Sequence, residues 1–338
     1  MTKKIITITA ISLAAVQFCA ARPPRPARAL SRLPAAVQQT VSQQLGDGRI
    51  TGIETDHDDG TLTYDVDIVR DGQARDFTVG ADGTLIEKEV FITELPTGTQ
   101  SVIKSAVGTS AIDDLYQSSD NGEVDYSADI MADGHEREYT FAGDGRLLTK
   151  EVVLAELSPS AQKIIQQKTV GSTIDEIDES FEEVDPNYDV QIIRGGMSRD
   201  FTVNTNGELI EEQFFVTELP GPLQAAIQKE SNGTTTGDIY KSVDSYGTNY
   251  DVDIGEGSAA RTVTFDTDGT ISEVVQPVNL ADTPEPVQVT IKSLGGRIVE
   301  IDKSTEDGDV SYDVDLIAAG KSKSVNIGTD GKIQDDTD

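Results

Sequence analysis

The chain has 338 residues, with 60 acidic against 27 basic side chains and a formal net charge of −33. So acidic a surface repels nucleic acid and anionic membranes, which excludes both as expected partners and favours cations, basic groups and solubility. The length allows two or three ordinary domains or several small ones, and Cys19 is the single cysteine, so no disulfide framework is available.

Residues 1–21 read as a secretory signal peptide. Lys3 and Lys4 form the basic start, Ile5 to Phe18 is mostly apolar, and Cys19-Ala20-Ala21 supplies small residues for cleavage. The apolar run is shorter than the roughly 20 residues that span a bilayer. The mature chain is therefore expected to be secreted or periplasmic, with no membrane span. Lipoprotein anchoring at Cys19 is the weaker alternative, because bulky Phe18 stands where a small residue is wanted. Residues 22–32 are rich in Pro and Arg and lack periodicity, so they read as a spacer.

A helix follows. Pro34 suits a helix start, Val37, Val41 and Leu45 recur at four-residue steps, and Gly46 stops the run. The stripe is too short to stand alone and must lie on something. Four strands come next: a short one over Ile50–Glu54, then Leu62–Arg70, Arg75–Val79 and Leu85–Ile92, with Asp71-Gly72 and Asp82-Gly83 as hairpin turns. Leu62, Tyr64, Val66 and Ile68 alternate with Thr63, Asp65 and Asp67, giving one buried and one wet face. With Asp71-Gly72 as a two-residue turn, residues pair when their numbers sum to 143. Ile68 then faces Arg75, Val66 faces Phe77 and Tyr64 faces Val79, so both apolar sets share a face.

This pattern returns every 62 residues. Tyr64, Tyr126, Tyr188, Tyr250 and Tyr312 hold the step, as do Gly83, Gly145, Gly207, Gly269 and Gly331, each after Asp or Asn. Arg75, Arg137, Arg199, Arg261 and Lys323 hold it too. Three positions keeping one period signal tandem repeats. The expected fold is α+β, with five tandem repeats of about 62 residues, each one helix packed on a four-stranded antiparallel sheet. The boundaries read 33–94, 95–156, 157–218, 219–280 and 281–338. The joints are short, as in Thr93-Glu94-Leu95, and the last copy ends early in Asp335-Asp336-Thr337-Asp338, as a capping unit would. The recurring arginine falls at the end of the apolar face, where its stem can cover the core edge and its guanidinium reach a carboxylate.

A unit opening Leu33-Pro34 with Gln38, carrying Tyr64-Asp65-Val66-Asp67-Ile68 and then Asp82-Gly83, resembles the PepSY-like family, grouped by likeness to the beta-lactamase inhibitor protein. The resemblance covers residues 33–334. It implies export, no catalysis, and binding to or inhibition of other envelope proteins, although five copies depart from the family's one or two. No inhibitory residue carries over.

No catalytic motif stands out. His57 and His135 lie near predicted turns in different copies, without a serine or cysteine motif beside them. Asp266-Thr267-Asp268-Gly269 and Asp56-His57-Asp58-Asp59-Gly60 have some likeness to calcium loops, but both lack the spaced ligands and the closing Glu, and read as turns. The wet face is more informative. The register places Asp67 opposite Asp76 with Asp65 two residues away, and Asp129 opposite Glu138. Like charges directly opposed destabilise a sheet. Later copies relax this, with Gln191 facing Asp200, Asp253 facing Thr262 and Asp315 facing Ser324. Asp65, Asp67, Asp76, Asp129 and Glu138 are therefore the candidate face for divalent cations, calcium first, or for basic side chains.

The expected function is an exported, non-catalytic binding protein that contacts or inhibits another envelope or extracellular protein through its sheet surface. No cofactor is expected. The alternative is an acidic structural or divalent-cation-binding envelope protein without a specific protein partner.

Overall fold

The computed structural model describes residues 30–334, apart from 59–60, 121–122, 133, 182–184, 244–246, 307 and 319–320. The segment expected as a signal peptide, most of the expected spacer, Asp59-Gly60 and Asp335–Asp338 thus lie outside the described residues. By internal contacts the chain divides into two units, residues 1–89 and 90–338.

In the first unit α1 (Ala35–Leu45) precedes β1 (Arg49–Asp58), β2 (Thr61–Arg70), β3 (Gln73–Arg75), β4 (Phe77–Gly80) and β5 (Leu85–Glu89). Val37 and Val41, one helical turn apart, sit on Tyr64, Val66, Ile68, Phe77 and Val79. The pairs Ile68–Arg75, Tyr64–Val79 and Asp65–Thr78 hold the expected sum of 143. β1 is ten residues long, not the five read from sequence. Its second half, Thr55–Asp58, is polar and shows no alternation, yet it completes the ladder with Thr61 to Tyr64. The fourth strand stops at Glu89, because residues Ile92–Glu94 turn into a 3-10 helix.

In the second unit α2 (Thr97–Val107) is followed by β6 (Ala111–Asp120), β7 (Glu123–Ala132), β8 (His135–Ala142) and β9 (Leu147–Glu151). Then come α3 (Pro159–Lys168), β10 (Thr173–Ser180), β11 (Asn187–Arg194), β12 (Met197–Asn204) and β13 (Leu209–Gln213). α4 (Gly221–Ser231) leads into β14 (Thr236–Val243), β15 (Thr248–Ile254), β16 (Arg261–Asp266) and β17 (Ile271–Pro277). α5 (Glu285–Leu294), β18 (Arg297–Glu306), β19 (Asp309–Ala318) and β20 (Lys321–Gly328) complete it.

The structure corrects the expected α+β fold of five repeats, each with its own four-stranded sheet. Strand dominates, and in residues 90–338 the sheet does not stop where a sequence copy stops. β9 pairs with β10, β13 with β14 and β17 with β18, so β6 to β20 form one antiparallel meander. The physical reason lies in the joints. Each short joint and the helix after it return the chain to the edge of the strand just finished, and pairing there covers two edges that would otherwise present unpaired N–H and C=O groups.

Two recurring sequence anchors acquire causes here. The glutamine five residues after the leucine of each helix entry folds back on that entry: the amides of Gln38, Gln100, Gln162 and Gln224 donate to the carbonyls of Leu33, Leu95, Leu157 and Leu219 at 2.8–2.9 Å. The glycine after Asp or Asn is more than a turn residue. Gly207 has φ +84°, and a Cβ there would lie 2.6 Å from the carbonyl carbon and oxygen of Ser160 in the first turn of α3. Gly83 meets Ala36, and Gly331 meets Pro286, in the same way. Gly207→Ala is therefore expected to cost about 2–5 kcal/mol, from backbone strain plus helix displacement. Gly233→Ala, also at positive φ (+83°) but with open space around it, is expected to cost only the strain, about 1–2 kcal/mol. Equal urea midpoints for the two variants would refute the close-approach explanation.

Candidate functional site

Strand alternation divides the sheet chemistry cleanly. Tyr126, Ala128 and Ile130 of β7 turn toward the helix side, with Ile103 and Val107 of α2 in the same core. Their neighbours Ser127 and Asp129 turn to the helix-free face, as do Asp189 and Gln191 of β11 and Asp251 and Asp253 of β15.

On that face carboxylates meet from strand to strand. Asp114 of β6 pairs with Asp129, which pairs with Glu138 of β8. The Glu138 amide donates to Glu151 of β9 at 3.3 Å. Glu151 pairs with Asp178 of β10, and Asp178 with Asp189 of β11. Asp189 accepts from the hydroxyl of Thr202 at 2.7 Å, and Thr202 pairs with Glu211 of β13. Two lysines near these strands are engaged on the other side: Lys150 pairs with Glu179 at 2.7 Å and Lys168 of α3 with Glu212 at 2.6 Å.

Burial and mutual repulsion both disfavour charge here. Burial, then the nearby Glu176, Asp189, Glu151 and Glu138, push the Asp178 carboxyl up to about 8. Burial and Asp251, Asp200 and Asp189 raise Glu211 to about 7. Asp129 rises to about 6 through burial and Glu138, and Asp302 of β18 to about 6 through burial and Glu300. Glu138 is raised by burial, partly offset by the hydroxyl of Ser127, which donates to it at 2.8 Å. Tyr240 of β14 donates to Asp200 at 2.8 Å, and burial holds its phenol well above the usual range. A face of this kind can hold shared protons, or receive positive groups.

The sequence-predicted residues take the following places. Asp129 and Glu138 are direct partners. In the first unit Asp65 accepts from the Thr78 hydroxyl at 2.9 Å. Asp67 is exposed and lies over Gly52 of β1. Asp76 falls between β3 and β4, in the interval where the register sets it against Asp67. Gln191–Asp200, Asp253–Thr262 and Asp315–Ser324 pair as expected. Glu151 and Asp178 went unrecognised because they meet only through the joint between two sequence copies, whereas Glu211 lies across β12 from Asp189 within one copy and was not singled out. Among the described residues no group of three or more Asp, Glu, His or Cys is gathered to hold a metal ion.

Other singled-out residues are structural. Arg137 is 7% exposed and grips Glu156 with two bonds of 2.8 and 3.0 Å. Arg199 grips Glu218 at 2.8 and 2.9 Å and lies 4.4 Å from the centre of the Phe215 ring. Arg261 turns instead to Glu230 of α4 at 2.9 Å. Those guanidinium bonds hold the Glu156 and Glu218 carboxyls below their ordinary value. Asp268 spends its carboxylate on its own turn, accepting from the Thr270 amide at 2.9 Å. His57 and His135 are both exposed.

No family model matches the chain, and no curated protein does. Solved structures resemble it over part of its length. A Bacteroides eggerthii protein described as periplasmic is 19% identical, with a TM-score of 0.28 over 35% of this chain and 87% of that one. A DUF2874 family protein from Bacteroides uniformis is 20% identical, TM-score 0.28, over 39% and 96%. A BLIP-like protein from Bacteroides fragilis is 21% identical, TM-score 0.28, over 35% and 84%. The likeness found is thus to DUF2874 and BLIP-like proteins, and the PepSY-like resemblance stays one of sequence pattern. At these scores it assigns no function. No helix among the described residues is long and apolar enough to cross a membrane.

Proposed function

We propose that this chain is an exported, non-catalytic binding protein that contacts another envelope or extracellular protein through the helix-free face of its sheet. The observation that carries the reading is the run of half-buried carboxylates from Asp129 to Glu211, opposed across strands with two nearby lysines engaged on the other side. Such opposition costs stability unless something positive meets it. Asp65, Asp67 and Asp76 form the corresponding part of the first unit. Export is motivated by the basic, apolar and small-residue order of residues 1–21.

A short oligolysine peptide tests this against calcium and against sodium chloride of matched ionic strength. The peptide is expected to raise the melting temperature most; at about a hundred times its Kd, mass action adds about 2.7 kcal/mol. Combining Asp67→Asn, Asp129→Asn and Asp178→Asn is expected to remove most of the response while stabilising the unliganded chain at low salt. A response to calcium but not to oligolysine would favour the divalent-cation reading. Equal responses to all three, unchanged in the variant, would reduce the face to screened charge.

A further inference from the structure

The second unit is one sheet built over separate cores. The core under α2 gathers Val90, Tyr126 and Phe141, with Leu147 of β9 against it. The core under α3 takes Val152, just past β9, together with Ile177, Tyr188 and Phe201. The line between the two cores is the joint where β9 lies on β10. That ladder has three residue pairs, Glu151–Asp178, Lys150–Glu179 and Thr149–Ser180, whereas β11 lies on β12 over eight. The amides of Val152 and Phe181 add one bond at either end, donating to the carbonyls of Ile177 and Leu148 at 2.8 Å.

The same joint is the one where acids oppose each other with least relief. β13 meets β14 with Glu211 on Ser242 and Glu212 on Lys241, and the Tyr240 hydroxyl reaches across that joint to Asp200 of β12 at 2.8 Å. β17 meets β18 over five pairs, and its acidic pair, Glu273–Glu306, is eased by the Ser304 hydroxyl, which donates to Glu273 at 2.6 Å. At β9–β10, Asp178 has Glu151 on one side and Asp189 on the other. Glu176 of its own strand and Glu138 of β8 act on it as well. On the helix side the charged groups are paired: Lys150 with Glu179, Arg137 with Glu156, and Lys168 of α3 with Glu212.

We propose that the β9–β10 joint is a proton-held seam: with a proton among its carboxylates it keeps two cores in one sheet, and on losing that proton it parts ahead of the rest of the unit, leaving both cores folded. Local opening follows lines that few apolar contacts cross, and a three-pair ladder between separate cores is such a line. The sign follows from the neighbours of Asp178. Burial and the four acids around it push its carboxyl up to about 8. Parting takes Glu151 away and admits water, so the carboxyl ionises nearer its ordinary value. Opening therefore releases a proton and is favoured as pH rises, by up to about ten-fold per pH unit. Below the ordinary carboxyl value both states hold the proton, and the seam stays shut.

Hydrogen exchange on the full chain, with the intrinsic rate at each pH divided out, tests this. Protection of the Val152 and Phe181 amides is expected to fall about ten-fold or more from pH 6 to pH 8. At pH 8 both are expected to exchange about ten-fold or more faster than amides inside the β11–β12 hairpin. Their exchange is also expected to be nearly insensitive to low urea, because parting a seam exposes little surface. Asp178→Asn is expected to remove most of the dependence on pH. Glu151→Gln, which sets a neutral amide opposite Asp178, is expected to lessen it, and serves should Asp178→Asn fail to fold. Equal protection and equal urea sensitivity at seam and hairpin would show a single cooperative opening and overturn the proposal. So would a folded variant whose seam amides follow the parent's pH profile. No ligand enters the measurement, so the result is independent of whether the carboxylate face binds a basic partner.

Discussion

Tyr64→Ala is expected to lower the stability of the first unit by about 3–5 kcal/mol, the usual cost of truncating a core aromatic. Tyr64 is 7% exposed and packs with Val37 and Val41 of α1 and with Val66, Phe77 and Val79. Asp65, the next residue, points to the opposite face, where it accepts a bond from the Thr78 hydroxyl. Asp65→Ala is therefore expected to cost no more than about 1 kcal/mol. Urea midpoints of the two variants provide the comparison. If they coincide, the assignment of faces in β2 is wrong, and the carboxylate face with it.

The second expected result concerns pH. The folded chain keeps a proton on Asp178 up to about pH 8, whereas the unfolded chain releases it near 3.8. Below that lower value both states are protonated and there is no penalty. Between the two values the folded state binds more protons than the unfolded one, so stability falls steadily as pH rises. Glu211, Asp129 and Asp302 act in the same direction over narrower windows. Glu156 and Glu218 act oppositely, but their contribution is lost only as pH falls below about 4.5. The chain is therefore expected to be more stable near pH 5 than near pH 8. Asp178→Asn is expected to raise stability at about pH 8 by about 1–3 kcal/mol and to flatten the limb between about pH 6 and 8. Urea titrations at the two pH values test this, and a variant whose pH profile matches the parent's would place the titrating proton elsewhere.

Local pattern made much of the chain legible. The Val37–Val41 stripe, the alternation around Tyr64 and the Asp-Gly turns each encode a short-range choice, and the β2–β4 register followed from turn length alone. Sheet continuity did not follow. Whether β9 lies on β10 depends on the path of a 3-10 turn at Leu154–Glu156, which carries no periodicity. The pair it creates, Glu151 against Asp178, looks unfavourable when read as two charges. For the same reason the acidic face appeared strongest in the first two copies, whereas the largest perturbation lies at Asp178. Gly207 was legible as a turn residue, but its approach to Ser160 was not, because a contact across 47 residues leaves no mark on the neighbouring sequence.

The meander of β6 to β20 also bears on how such a chain folds. Each strand's partners are the strands just before and after it, so contacts span short stretches of chain and relative contact order stays low for a protein so rich in strand. No strand waits for a distant segment to be made or delivered. A chain emerging end-first during synthesis can close each hairpin as its second strand appears, and each finished hairpin offers an edge on which the next one zips. Unpaired edge is then confined at any moment to the growing end, which keeps the aggregation-prone intermediate small even though the finished sheet is long.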